Sequence, residues 1–69
     1  MNVEWVDESR IKVTIENDTV TISANRQGLL SLSRQLSDLA DEESGAHIHY
    51  DEYNSLEDDS TEMIIEKSE

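Results

Sequence analysis

Three side chains capable of metal binding or proton transfer lie at alternate positions in the last third of the chain. They are His47, His49 and Asp51, within residues 45–51. Two imidazoles and a carboxylate suit zinc or iron. On an extended strand the outer two are about 13 Å apart, so Asp51 cannot join both histidines without a bend. The chain has no other histidine and no cysteine to complete a site. We therefore predict no resident metal, with His47 and His49 as the only residual candidates.

A second group of candidate residues, all of them acidic, lies in the connection at residues 52–60. It contains Glu52, Glu57, Asp58 and Asp59. A calcium loop would need a glycine turn, which this segment lacks, and acid–base catalysis would need a pocket that shifts pKa values. The sequence also has no glycine-rich phosphate cradle and no order of residues that specifies a catalytic triad. We predict a protein that is not an enzyme and that needs no cofactor.

The histidines are positioned by an alternating strand. Ala46, Ile48 and Tyr50 would point to one side and the two histidines to the other, which is the period of a half-buried strand. After the acidic connection, where Leu56 could anchor the middle, residues 61–67 predict a final strand. Either Met63 and Ile65 or Ile64 would face the core.

The first half of the chain predicts a hairpin. Residues 10–16 and 19–24 both alternate apolar and polar side chains, and Asn17-Asp18 between them tolerates the positive φ of a two-residue turn. Residues 2–6 could form an additional short strand that includes Trp5. The predicted inward residues of the hairpin are Ile11, Val13, Ile15, Val20, Ile22 and Ala24.

From Asn25 the period changes to that of a helix ending near residues 41–43. Asn25 or Ser23 could cap its start. Gly28 indicates either a close approach to the sheet or a loose first turn, and Gly45 a turn after the helix. The predicted inward stripe is Leu29, Leu32, Leu36 and Leu39, and the predicted outward side is Ser31, Arg34, Gln35 and Asp38.

These elements predict an α+β domain over residues 1–67, with residues 68–69 frayed. Its antiparallel sheet would have four or five strands and one helix packed on one face, in the order β-β-β-α-β-β. One helix cannot cover both faces, so the other face stays open to water or a partner. That open face would carry Lys12, Thr14, Thr21, Ser23, His47 and His49.

The charge is strongly negative and uneven. The 69 residues carry a net charge of −12, of which residues 1–40 contribute −2 and residues 41–69 contribute −10. Such a field repels nucleic acid and anionic membranes and attracts cationic partners. Without cysteine, a signal pattern or a long apolar run, the sequence indicates a cytoplasmic protein.

The order of residues resembles a family of small immunity proteins from bacterial polymorphic toxin systems, family thirty-two. The resemblance spans about residues 19–67. It rests on Gly-Leu-Leu-x-Leu from Gly28, His-Ile-His-x-Asp from His47, and Ser60 before Met63-Ile64-Ile65. In that pattern a glycine often precedes the serine, and Asp59 stands in its place here.

The resemblance implies a protein that binds and neutralises a cognate toxin encoded beside it. The acidic charge suits a cationic nuclease as that toxin. Two alternatives remain: a small acidic homo-oligomeric accessory domain that associates through the open sheet face, and a histidine-based metal-binding protein. The predicted partner-binding residues are His47, His49, Asp51, Glu52, Tyr53, Glu57, Asp58 and Asp59.

Overall fold

The computed structural model describes residues 1 and 3–69, and its elements follow the order β-β-α-β-β. They are β1 (Ile11–Glu16), β2 (Thr19–Ala24), α1 (Arg26–Ala40), β3 (His47–Tyr50) and β4 (Met63–Glu66). The α+β class with a single helix is confirmed. The order β-β-β-α-β-β is wrong, because residues 3–6 form no strand. Asn2, the first residue of that expected strand, lies outside the described residues.

Strands β1 and β2 form an antiparallel hairpin whose register runs from Ile11 opposite Ala24 to Glu16 opposite Thr19. The turn between them consists of Asn17 and Asp18, with φ of 50° and 63°. Two consecutive residues of positive φ match the right-handed twist of the flanking strands, and Asn and Asp tolerate this conformation. The hairpin and its turn are therefore as predicted.

Strands β3 and β4 form a second antiparallel hairpin, with His49 opposite Ile64. The prediction of one sheet of four or five strands is wrong, since the described residues form two sheets of two strands each. The acidic connection explains the separation, because it occupies the second edge of β1. The amide of Glu57 donates to the Ile11 carbonyl at 2.9 Å and that of Thr61 to the Val13 carbonyl at 2.8 Å. These bonds take the place that a second neighbouring strand would have beside Ile11 and Val13.

The helix begins where Asn25 caps it, which resolves the choice between Asn25 and Ser23. The Asn25 Oδ1 accepts from the Gly28 amide at 2.8 Å and from the Arg10 amide at 3.0 Å. Gly28 marks a close approach, because a Cβ there would lie 2.6 Å from the Arg10 carbonyl oxygen. Beyond the C-terminus of the helix the chain turns at Gly45, whose φ is +90°. Only glycine adopts that conformation at little cost.

The helix is rotated from the predicted orientation. Ser31 and Gln35, expected to face solvent, have 0% and 1% of their surface exposed. Leu29 and Leu36, expected in the inward stripe, are 55% and 42% exposed. Leu32 and Leu39 are buried as predicted. The inward side thus contains two polar residues.

The N-terminal arm, residues 3–9, explains this rotation. The arm belongs to neither sheet, so its backbone needs other hydrogen-bond partners where it packs on the helix. The Val6 amide donates to the Ser31 Oγ at 2.9 Å, and the Gln35 Nε2 donates to the Glu4 carbonyl at 2.8 Å. Polar side chains are required on the helix wherever it faces this arm.

The core lies between the helix, the two hairpins and the acidic connection. Its buried residues are Ile11, Val13, Leu32, Leu39, Ile48, Tyr50 and Leu56. Trp5 packs at its margin, with its ring 6.0 Å from that of Tyr50 in an edge-to-face arrangement.

Three of the residues predicted to be covered are exposed instead. Ile15, Val20 and Ile22 are 55%, 59% and 41% exposed. They occupy the half of the hairpin near its turn, whereas the Gly28 contact brings the start of the helix against the opposite end, beside Arg10, Ile11 and Ala24. The helix therefore packs on the hairpin at that end, and the turn end stays uncovered.

Candidate functional site

Strand β3 separates a buried face from an exposed one. Ile48 and Tyr50 are 4% and 0% exposed and lie in the core, whereas His47 and His49 are exposed. The alternation predicted for this strand is confirmed. Burial raises the pKa of the Tyr50 phenol above its ordinary value of 10.0.

Each histidine ring has its own neighbour. The Nδ1 of His47 lies 3.2 Å from the Gly45 carbonyl oxygen, so it acts as the donor. The Nε2 of His49 lies 3.4 Å from a carboxylate oxygen of Glu62, the residue immediately before β4. Both residues of that pair are exposed, so the contact contributes little to stability. Over residues 1 and 3–69, no three His, Asp or Glu side chains come together as a set of metal ligands.

Asp51 does not continue the histidine row. It follows the last residue of β3, and its Oδ1 accepts from the amides of Tyr53 at 2.9 Å and Asn54 at 3.0 Å. This is the arrangement by which an aspartate fixes a tight turn. Asp51 therefore shapes the loop that follows the strand.

Asn54 completes the same turn. Its Oδ1 accepts from the Asp51 amide at 3.2 Å and from the hydroxyl of Ser55, and its Nδ2 donates to the His49 carbonyl at 3.1 Å. Asn54 lies in the connection at residues 52–60, for which no particular turn residue was predicted. The spacing Asp-x-x-Asn was the available signal, since both side chains readily bond to nearby backbone.

Tyr53 lies within this turn and is 97% exposed. Its backbone is held by Asp51, while its ring extends into solvent. A tyrosine in a chain with so few aromatic residues would ordinarily contribute to the core, as Tyr50 does.

The rest of the loop is attached to the body of the protein. Leu56 is buried, as predicted, and Ser60 Oγ accepts from the Val13 amide at 3.2 Å. Asp59 adopts a φ of 68° and its amide donates to a carboxylate oxygen of Glu52 at 3.1 Å. Aspartate thus takes the left-handed conformation at the place where the family pattern often has glycine. Glu52, Glu57, Asp58 and Asp59 are all exposed.

These features define a small acidic α+β protein that displays a hydrogen-bonded loop with an exposed aromatic side chain. The model of the family described as immunity protein 32 matches residues 19–68. That match covers well over half of the chain, and the chain belongs to this family. It includes β2, the helix, β3, β4 and the whole acidic connection.

Membership of an immunity protein family indicates a toxin-neutralising function with a toxin as partner, and such families are in general non-enzymatic inhibitors. No curated protein and no solved structure shows a significant match to the chain. In the described part of the chain, no helix has the length and apolarity needed to cross a bilayer.

Proposed function

We propose that this protein neutralises a cognate toxin domain, encoded beside it in a bacterial genome, by binding it directly in the cytoplasm. The contact is made by a surface that we call the acidic loop surface. It consists of His47, His49, Asp51, Glu52, Tyr53, Glu57, Asp58 and Asp59.

The observation that supports this surface best is the exposure of Tyr53, at 97%. Exposed aromatic side chains are frequent anchors in protein interfaces, since they bury a large area on binding. The turn around Tyr53 is already fixed by the hydrogen bonds of Asp51 and Asn54. Little backbone entropy is then lost when a partner binds, which favours affinity.

The acids around Tyr53 contribute mainly to the rate of association. Residues 41–69 carry a net charge of −10, and Glu57, Asp58 and Asp59 are exposed within that segment. A negative surface accelerates encounter with a positively charged partner, and a nuclease needs positive charge where it binds the phosphates of nucleic acid. We therefore propose a cationic nuclease as the toxin class.

The test uses the toxin domain encoded by the adjacent gene. Co-expression of the wild-type protein should restore growth, and the purified proteins should bind in a calorimeter. Tyr53→Ala should weaken binding by roughly 30-fold or more, the loss typical of a central aromatic anchor. Leu36→Ala is the matched control, because Leu36 is an exposed apolar residue on the helix, outside the acidic loop surface.

Charge is tested separately. Asp58→Lys should lower the association rate and its dependence on salt, whereas Asp38→Lys, which makes the same charge change on the helix, should have a smaller effect. If the protein binds the toxin and neither Tyr53→Ala nor Asp58→Lys differs from its control, the assignment of the contact to the acidic loop surface is wrong. If co-expression restores no growth and the proteins do not bind, the neutralising function with this toxin is wrong.

A further inference from the structure

Strand β2 has a free backbone edge. In a hairpin with a two-residue turn, Thr19, Thr21 and Ser23 exchange hydrogen bonds with β1, so the N–H and C=O groups of Val20 and Ile22 point away from it. The same alternation directs Ile11 and Val13 to the opposite edge, where Glu57 and Thr61 donate to them. In the described part of the chain, the outward backbone groups of Val20 and Ile22 have no such partner.

This edge has none of the usual protections. Exposed edge strands are normally interrupted by a charge, a proline or a bulge, which prevents pairing with another chain. Residues 19–25 contain no charged residue and no proline, and the register with β1 is continuous. The outer edge of β3 differs, because β3 has only four residues and the side chain of Asn54 donates to the His49 carbonyl.

An apolar patch accompanies the free edge. Val20 lies opposite Ile15, and Ile22 lies opposite the buried Val13, so the exposed side chains of Ile15, Val20 and Ile22 share one face of the hairpin. A strand added to β2 would extend this face and place its own side chains against Val20 and Ile22.

The charges around β2 favour a second copy of the same chain as the added strand. Glu16 and Asp18 lie at the turn end, whereas the exposed Arg10 and Arg26 lie at the opposite end and outnumber the one acid beside them, Glu8. Antiparallel pairing about a two-fold axis brings the acidic end of one copy to the basic end of the other, twice. The acidic connection bonds to the far edge of β1, so β1 separates it from β2.

We propose that the protein forms a symmetric dimer in which the β2 strands of two copies pair antiparallel into a continuous four-stranded sheet. The backbone groups of Val20 and Ile22 supply the intermolecular hydrogen bonds. The side chains of Ile15, Val20 and Ile22 from each copy form the apolar contact. The dimer leaves the acidic loop surface free, so it is independent of the proposed toxin binding.

The first test is sedimentation of the full-length protein over a range of concentrations. The wild type should convert from monomer to dimer as the protein concentration rises. Val20→Lys should weaken the dimer at least about tenfold, since it places like charges in the contact. Ile64→Lys is the matched control, because Ile64 is also 59% exposed but lies on β4.

A second test uses the absence of cysteine. Thr21→Cys should form a disulfide-linked dimer on oxidation, because pairing Val20 with Ile22 of the second copy, in both directions, places the two-fold axis at Thr21. Ile64→Cys should not. Circular dichroism and Trp5 fluorescence would establish that each variant remains folded.

A wild type that remains monomeric at every concentration overturns the proposal. The proposal is also overturned if the wild type forms a dimer but Val20→Lys and Ile64→Lys weaken it equally. If the wild type is monomeric but Val20→Lys abolishes toxin binding, the edge belongs to the toxin and not to a second copy.

Discussion

The hydroxyl of Tyr50 donates a hydrogen bond of 2.8 Å to Oε1 of Gln35, and both side chains are buried. The Nε2 of Gln35 donates in turn to the Glu4 carbonyl at 2.8 Å. One amide therefore joins β3, the helix and the N-terminal arm. Because the Gln35 amide and the Tyr50 hydroxyl are both buried, each depends on the other for this hydrogen bond.

Replacing Gln35 should destabilise the fold. Gln35→Leu leaves the buried Tyr50 hydroxyl without a partner, and we expect a loss of about 1–3 kcal/mol in the free energy of unfolding. Urea unfolding followed by the fluorescence of Trp5, which packs on Tyr50, measures the loss. In a Tyr50→Phe background the same substitution should cost less, because the hydroxyl is absent. Equal costs in both backgrounds would show that the two side chains are not coupled.

Gly28→Ala should also destabilise the protein, although alanine is the better helix former. Its Cβ would lie 2.6 Å from the Arg10 carbonyl oxygen and 2.9 Å from the Ile11 Cγ1. We expect a cost of about 1–3 kcal/mol from overpacking, exceeding the gain of about 1 kcal/mol in helix propensity. Ser33→Ala, on the exposed side of the same helix, should be neutral or stabilising. A more stable Gly28→Ala protein in thermal unfolding would contradict the close approach.

Stability should fall at alkaline pH through Tyr50. Burial raises the pKa of its phenol above 10.0, so the folded protein retains the proton that the unfolded chain releases. This contribution is fully present below pH 10.0 and is lost as the pH rises through the folded pKa. Urea unfolding across that range should show the decline, and Tyr50→Phe should reduce its slope. An unchanged slope in Tyr50→Phe would contradict the assignment of the decline to Tyr50.

Lys67 should stabilise the C-terminus of the helix. Its Nζ donates to the carbonyls of Ala40 and Glu42, both at 2.7 Å. These carbonyls lack partners within the helix, and a cation there also opposes the negative end of the helix dipole. We expect Lys67→Met to cost about 1 kcal/mol in thermal unfolding. Lys12→Met, which removes the same charge from β1, is the control, and equal losses would exclude a specific capping role.

Local patterns predicted much of this architecture. The alternation in residues 10–24, the Asn-Asp turn, the Asn25 cap and the burial of Ile48, Tyr50 and Leu56 were all readable, because each depends on neighbouring residues or on a strong period. The last strand was predicted too long, at residues 61–67, and is Met63–Glu66. Thr61, the first residue of the predicted span, bonds to β1 instead of β3, which no local period reveals.

The candidate site was predictable in part. The exposure of His47 and His49 followed from the strand period, but the role of Asp51 did not, since an aspartate after a strand can either continue the row or turn back on its own backbone. Which residues contact the toxin remains a prediction.

The sequence alone determined the elements, their turns, the negative charge and the family resemblance, because these follow from short-range periodicity and residue type. Tertiary structure decided which side of the helix faces inward and which strand edges remain free. A stripe of apolar residues identifies the inward side of a helix only when every segment packed on that side presents apolar groups. Here the N-terminal arm brings unpaired backbone groups against Ser31 and Gln35, and the acidic connection occupies the edge of β1. Hydrogen-bond demands from distant segments therefore overrode the leucine pattern. The close approach at Gly28 set the helix against one end of the hairpin and left Ile15, Val20 and Ile22 uncovered.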